Sequence, residues 1–168
     1  EVEEYSITIK KNSTKLLALI NNILDLSRLE AGMMRFNEQE CEVAQLCREA
    51  KMIVDMQMPG KTESTFSTKL DTLEIQADSK WFLKTLTTLL SVSNDYTGEA
   101  PKIEYSLSVE NKRLIIAVKG SPLYQCWEDE QEQHILHTIN RLYVEAFKGS
   151  YKVLDEGGRK VVYIIYPI

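Results

Sequence analysis

Apolar residues crowd one end of this chain. In the stretch LLALINNILDLSRLEAG, Leu16, Leu19, Ile23 and Leu26 recur at heptad spacing, and Leu17, Ile20, Leu24 and Leu29 widen the seam into an arc. That spacing predicts a helix from about Val2 to Ala31, with Gly32 as its C-terminal stop. A narrow seam suits a two-stranded coil, whereas a wide arc suits a helix facing two or more neighbours in a bundle. Leu16, Leu19, Ile20, Ile23 and Leu26 are therefore the expected bundle interface.

The pattern then changes character. MMRFNEQEC reads as extended, and EVAQLCREAKMIVDMQ as an amphipathic helix that MPGK breaks. STFSTKLDTLEIQAD reads as short strands around a turn, and SKWFLKTLTTLLSVSND as a helix with Phe82, Leu83, Leu86, Leu89 and Leu90 inward. KIEYSLSV alternates with period two and turns at NK into RLIIAVKG, a hairpin. SPLYQCWEDEQEQ is polar and irregular, HILHTINRLYVEAFKG is a helix closed by Gly149, and SYKVLDEGGRKVVYIIYPI is a last hairpin around EGG. One long helix followed by hairpins and helices implies an α+β chain, with helices on one face of a sheet in a two-layer α/β sandwich.

Composition narrows the classes. The 168 residues carry a net charge of -5, which argues against a general nucleic-acid binder. No apolar run is long enough to span a bilayer, and no signal-peptide pattern appears. Cys41, Cys47 and Cys126 are too scattered for a disulfide framework or a CxxC metal site, so reduced thiols and a cytoplasmic setting are expected. The chain opens on Glu1 without an initiator Met, so a fragment of something longer is expected.

LINNILDLSRLEAG resembles the second helix of the dimerisation and phosphotransfer domain of sensor histidine kinases. The order of the later elements, and the ending VEAFKGSYKVLDEGGRKVVYIIYPI, resemble that family's GHKL-type ATP-binding domain. The resemblance implies two parts: residues 1–33, the second helix of a hairpin whose first helix is absent, and residues 34–168, an ATPase-like domain. In the family the absent helix carries the phospho-accepting His, and two hairpins make a four-helix dimeric bundle. No His precedes His134 here.

The same resemblance implies a list of ligand positions. The family's helix N-L-L-x-N-A, followed by K-[FY]-T, matches TLLSVSNDYT: Thr88 stands at the first Asn, Val92 at the magnesium-binding Asn and Asp95 at the Lys. Val92 has no oxygen for a hard cation. Asn94, two residues on, would lie about 200° around a continuous helix. The adenine-selecting Asp of D-x-G falls at Gly120, beside Lys119. The phosphate-cradling G-L-G-L reads HILH, with His134 and Leu136 at its glycines. The lid shrinks to EDEQEQ, which would repel a triphosphate, and the late G-x-G-[ST] reads GGRK, keeping Gly157 but replacing the rest with Arg159 and Lys160.

All these positions depart together while the core pattern persists. The expectation is a degenerate ATP site with no bound ATP or Mg²⁺, in a fragment read as an inactive pseudokinase of a histidine-kinase family. It would act by homo- or heterodimerisation through the first helix and by contact with a receiver domain or partner kinase. The alternative is a longer autokinase in which Lys119, Arg159 and Lys160 replace the lost phosphate contacts, and a third reading is a stand-alone adaptor of the same fold. His134, His137 and Cys126 lack a fourth ligand at motif spacing, and Trp81 and Trp127 read as packing residues.

Overall fold

The computed structural model describes residues 1–168. Helix α1, Val2–Glu30, ends as expected: Gly32 takes φ +67°, and the amides of Gly32 and Met33 bond back to the carbonyls of Leu29 and Arg28. Strand β1, Gln39–Glu42, leads into α2, Val43–Gln57, where the Glu42 carboxylate accepts from the Ala44 and Gln45 amides. Then come β2 (Glu63–Thr68), β3 (Glu74–Ala77), α3 (Ser79–Leu90), β4 (Lys102–Glu110), β5 (Arg113–Lys119), α4 (Glu130–Ala146), β6 (Ser150–Glu156) and β7 (Arg159–Pro167). A short 3₁₀ turn, Pro122–Tyr124, follows β5.

Five strands form one sheet in the order β2-β4-β5-β7-β6, and β1 and β3 form a separate antiparallel pair. Both expected hairpins are present. Asn111 and Lys112 turn β4 into β5 with positive φ, and Gly157 and Gly158 do the same between β6 and β7. The pairing of the first strands could not be read from the residues: β2 lies parallel to β4, and β3 joins β1.

Alternation decides which face of the sheet is covered. Ile103, Tyr105 and Leu107 of β4, Leu114, Ile116 and Val118 of β5, and Val162, Ile164 and Tyr166 of β7 all face the core. Above them pack Val43, Cys47, Ala50 and Val54 of α2, Phe82, Leu86 and Leu89 of α3, and Leu136, Tyr143 and Val144 of α4. The result is the two-layer α/β sandwich expected. Polar tips are satisfied inside it: the Tyr105 hydroxyl donates to the Cys47 carbonyl at 2.5 Å and that of Tyr143 to the Asp78 carbonyl at 2.9 Å. Burial pushes the Cys47 thiol up to about 12.

Three boundaries differ from the sequence reading. Helix α3 stops at Leu90, and Ser91 is already extended. Its last turn spends side-chain hydroxyls on its own carbonyls: Thr87 and Thr88 donate to Lys84, and Ser91 donates to Thr87. Helix α4 starts at Glu130, because Asp129 caps it through the amides of Gln131 and Glu132. At its other end the left-handed residue is Lys148, φ +65°, not Gly149. Gly149 is needed for space instead, since a Cβ there would sit 2.7 Å from the Tyr166 ring.

The link between α1 and the sandwich is anchored at Phe36, and the adjacent Asn37 amide donates to the Asp78 carboxylate at 2.8 Å. Phe36 makes edge contacts with Trp81 of α3 and with Tyr143 and Phe147 at the end of α4, at centroid distances of 6.0, 5.8 and 5.2 Å.

Candidate functional site

The residues at the expected ligand positions gather where α3 ends, β5 ends and α4 begins. Val92 is only 2% exposed and lies beyond α3 rather than on it. Asn94, off the helix and so not rotated around it as a continuous helix would place it, is exposed in the following loop. Thr88 remains on α3, half-buried, with its hydroxyl committed to the Lys84 carbonyl at 2.7 Å.

Gly120 is buried at the end of β5 with φ +79°. A Cβ there would collide with the Arg159 guanidinium and lie 2.7 Å from the Lys102 carbonyl, so the space beside it is already filled. Arg159 donates to that same carbonyl at 2.6 Å. Lys119 alternates away from the core and lines, with Glu104 and Glu156, a depression of about 370 Å³ on the sheet's other face. The Lys160 ammonium lies 3.9 Å from Asp155. The three basic residues are thus not brought together around one pocket.

His134 and Leu136 do not open α4. They lie in its second turn, His134 exposed and Leu136 buried in the core. The true helix start has free N–H groups of the kind that bind anions, but the Asp129 carboxylate already accepts from two of them, at 3.0 and 3.1 Å.

The segment joining β5 to α4, expected to be an irregular acidic loop, is packed. Leu123 and Ser121 are fully buried. The Ser121 hydroxyl donates to the Leu89 carbonyl at 2.6 Å and the Trp127 indole to the Ser91 carbonyl at 3.2 Å, so this segment caps the end of α3. Gln133 holds the Leu123 carbonyl at 2.7 Å. The Tyr124 hydroxyl meets His137 Nδ1 at 2.8 Å and the Tyr151 hydroxyl at 2.5 Å. Burial, then the charges of Arg141 and His134, hold the His137 pKa below its usual value, and burial pushes Tyr151 up to about 12. The sequence signal for this packing was the apolar set Leu123, Tyr124 and Trp127, masked by the charged residues that follow.

Outside this plug lies a cavity of about 390 Å³, lined by Tyr96, Trp127 and the carboxylates of Asp95, Glu128, Asp129 and Glu132, with Lys15 of α1 at its edge. Burial, with Asp129 and Asp95 nearby, raises the Glu132 pKa against the opposing pull of Lys15. The cavity's charge is opposite to what a triphosphate requires.

On α1, Leu19 and Leu26 are half-buried beside the sandwich, while Leu16, Ile20 and Ile23 are 58%, 45% and 44% exposed. No helix is long and apolar enough to cross a membrane.

A long helix leading into this five-stranded sandwich is the architecture of histidine-kinase catalytic portions, and comparison with known proteins agrees. Full-length ShkA, solved with AMPPNP, superposes with TM-score 0.75 at 19% identity, over 98% of this chain and 38% of that one. AdeS of Acinetobacter baumannii gives 0.68 at 18% identity over 93% and 80%, and ThkA in complex with the response regulator TrrA gives 0.72 at 17% over 99% and 51%. In sequence, Histidine kinase 1 of Arabidopsis thaliana is 33% identical over 102 residues, 56% of this chain and 8% of that protein. The chain thus spans less than a tenth of that relative's length. No family model matches. The resemblance to sensor histidine kinases holds in both fold and sequence.

Proposed function

We propose that this chain is a signal-transduction module of a two-component sensor histidine kinase whose ATPase-type domain keeps its fold without a working nucleotide site. Residues 1–33 serve as one helix of a dimerisation hairpin and residues 34–168 as the degenerate domain. The observation that supports the reading is the packing of the segment between β5 and α4 against the end of α3, where the family resemblance puts the nucleotide positions. Leu123 is fully buried, the Trp127 indole caps α3, and Asp129 takes the α4 amides that would hold phosphate. Val92, buried off the helix, offers no oxygen to magnesium.

Such a module acts through contacts. The exposed Leu16, Ile20 and Ile23 support homo- or heterodimerisation through α1. The likeness to ThkA in its complex with TrrA supports a receiver domain as partner. A cytoplasmic setting fits the free thiols of Cys41, Cys47 and Cys126.

Calorimetry with Mg-ATP and Mg-ADP at millimolar concentration tests the reading. Absence of binding and of any thermal shift is the expected result. Micromolar affinity for either nucleotide would overturn it, in favour of an autokinase with an atypical pocket.

A further inference from the structure

The acidic cavity outside the plug faces α1, and α1 answers it with positive charge. Lys15 Nζ lies 2.6 Å from Asp95 Oδ2. That bond, joined by Glu132 and Asp129, raises the Lys15 pKa, and Lys11 helps lower that of Asp95. Ten residues along α1, about 15 Å on its axis, the polarity reverses: Lys84 of α3 donates to Asp25 of α1 at 2.8 Å. Lys84 is also positioned over the Trp81 ring, 4.7 Å from its centroid. Two pairs of opposite sense, a helix turn or more apart, fix both the direction and the register of α1 against the domain.

α1 packs along α4 without burying any side chain completely. No residue of α1 is buried, and only Leu19, Leu26 and Leu29 are half-covered among its leucines. Exposed ion pairs are individually weak, but two of opposite sense add direction and register to a helix contact that leaves no α1 side chain fully buried. The resemblance to the kinase family places a Lys at the Asp95 position, where it would meet Lys15 head-on.

We propose that Lys15–Asp95 and Asp25–Lys84 form an electrostatic clamp that docks the α/β domain onto the α1 helix of its own chain, across the mouth of the closed groove. Docking is then governed by charge and ionic strength rather than by nucleotide. The clamp stands whether or not the nucleotide reading does.

The test is a distance measurement on the whole chain. Nitroxides are placed at Ile9→Cys and Val109→Cys, both exposed, in a Cys126→Ser background, with unlabelled chain in excess so that only intrachain distances are read. The expected result is a narrow distribution at low salt that broadens at about 1 M NaCl, where the screening length falls to about 3 Å. Lys15→Glu should broaden it at low salt, lowering the docked-to-undocked ratio about tenfold, and adding Asp95→Lys should narrow it again. An unchanged distribution in Lys15→Glu, or no recovery in the charge swap, overturns the clamp. Should Lys15→Glu fail to fold, the salt series on the parent decides: a distribution indifferent to about 1 M NaCl overturns it equally.

Discussion

Replacing Val92 with Asn installs the side chain that the proposed alignment with the kinase family would put there for magnesium, and the structure says that it should do harm rather than good. Val92 is 2% exposed and follows α3 directly. Removing a buried valine forgoes about 1.5 kcal/mol of apolar burial or more. An amide placed there without partners costs about 1–3 kcal/mol. The sum, about 3 kcal/mol, is a large part of the 5–15 kcal/mol that holds a typical domain. For a chain of this size it lowers Tm by about 6–12 °C. Urea unfolding followed by circular dichroism, with the m-value checked for constancy, measures the loss directly. Val92→Ala, which leaves a void but no amide, should cost about 2 kcal/mol and bracket the packing part. A Val92→Asn protein as stable as its parent within about 0.5 kcal/mol would refute the reasoning. It would mean that position 92 faces open groove, and Mg-ATP binding gained by the same variant would confirm that error.

Two further outcomes follow from the plug. Tyr124→Phe leaves His137 Nδ1 and the Tyr151 hydroxyl without their shared partner, so denaturation should show a loss of about 1–2 kcal/mol. His137 has a folded-state pKa below its unfolded value of 6.5. The unfolded chain therefore binds the proton first, and stability present above pH 6.5 declines as pH falls through the folded-state pKa. Comparing the pH dependence of urea midpoints in the parent and His137→Gln should show a flatter acid limb in the variant, and parallel limbs would contradict the assignment.

Much of the fold was legible because its elements announce themselves locally. Gly32 ends α1 in the left-handed conformation that the sequence position implied. The NK and GG turns give hairpins because their residues take positive φ. What escaped was set by partners distant in sequence. β2 runs parallel to β4 across an intervening strand and helix, and no local pattern in ESTFST encodes that. The end of α3 depends on Ser121 and Trp127, thirty or more residues away, which cap its carbonyls. Asp129 carried a readable capping signal, followed by Glu130 and Glu132 in the first turn, but its place in an acidic run made it look like solvated loop. The candidate site was legible as a set of substitutions, not as a shape. The packing of Leu123 and Tyr124 beside those positions is visible only in the folded chain.

The Phe36 anchor has a mechanical consequence. Residues 31–38, between α1 and β1, would act as a free swivel if nothing held them. Phe36 seats its ring among Trp81, Tyr143 and Phe147, which leaves only residues 31–35 to absorb a twist of the helix. Any rotation of α1 is therefore delivered as torque to the first turn of α3 and the last turn of α4.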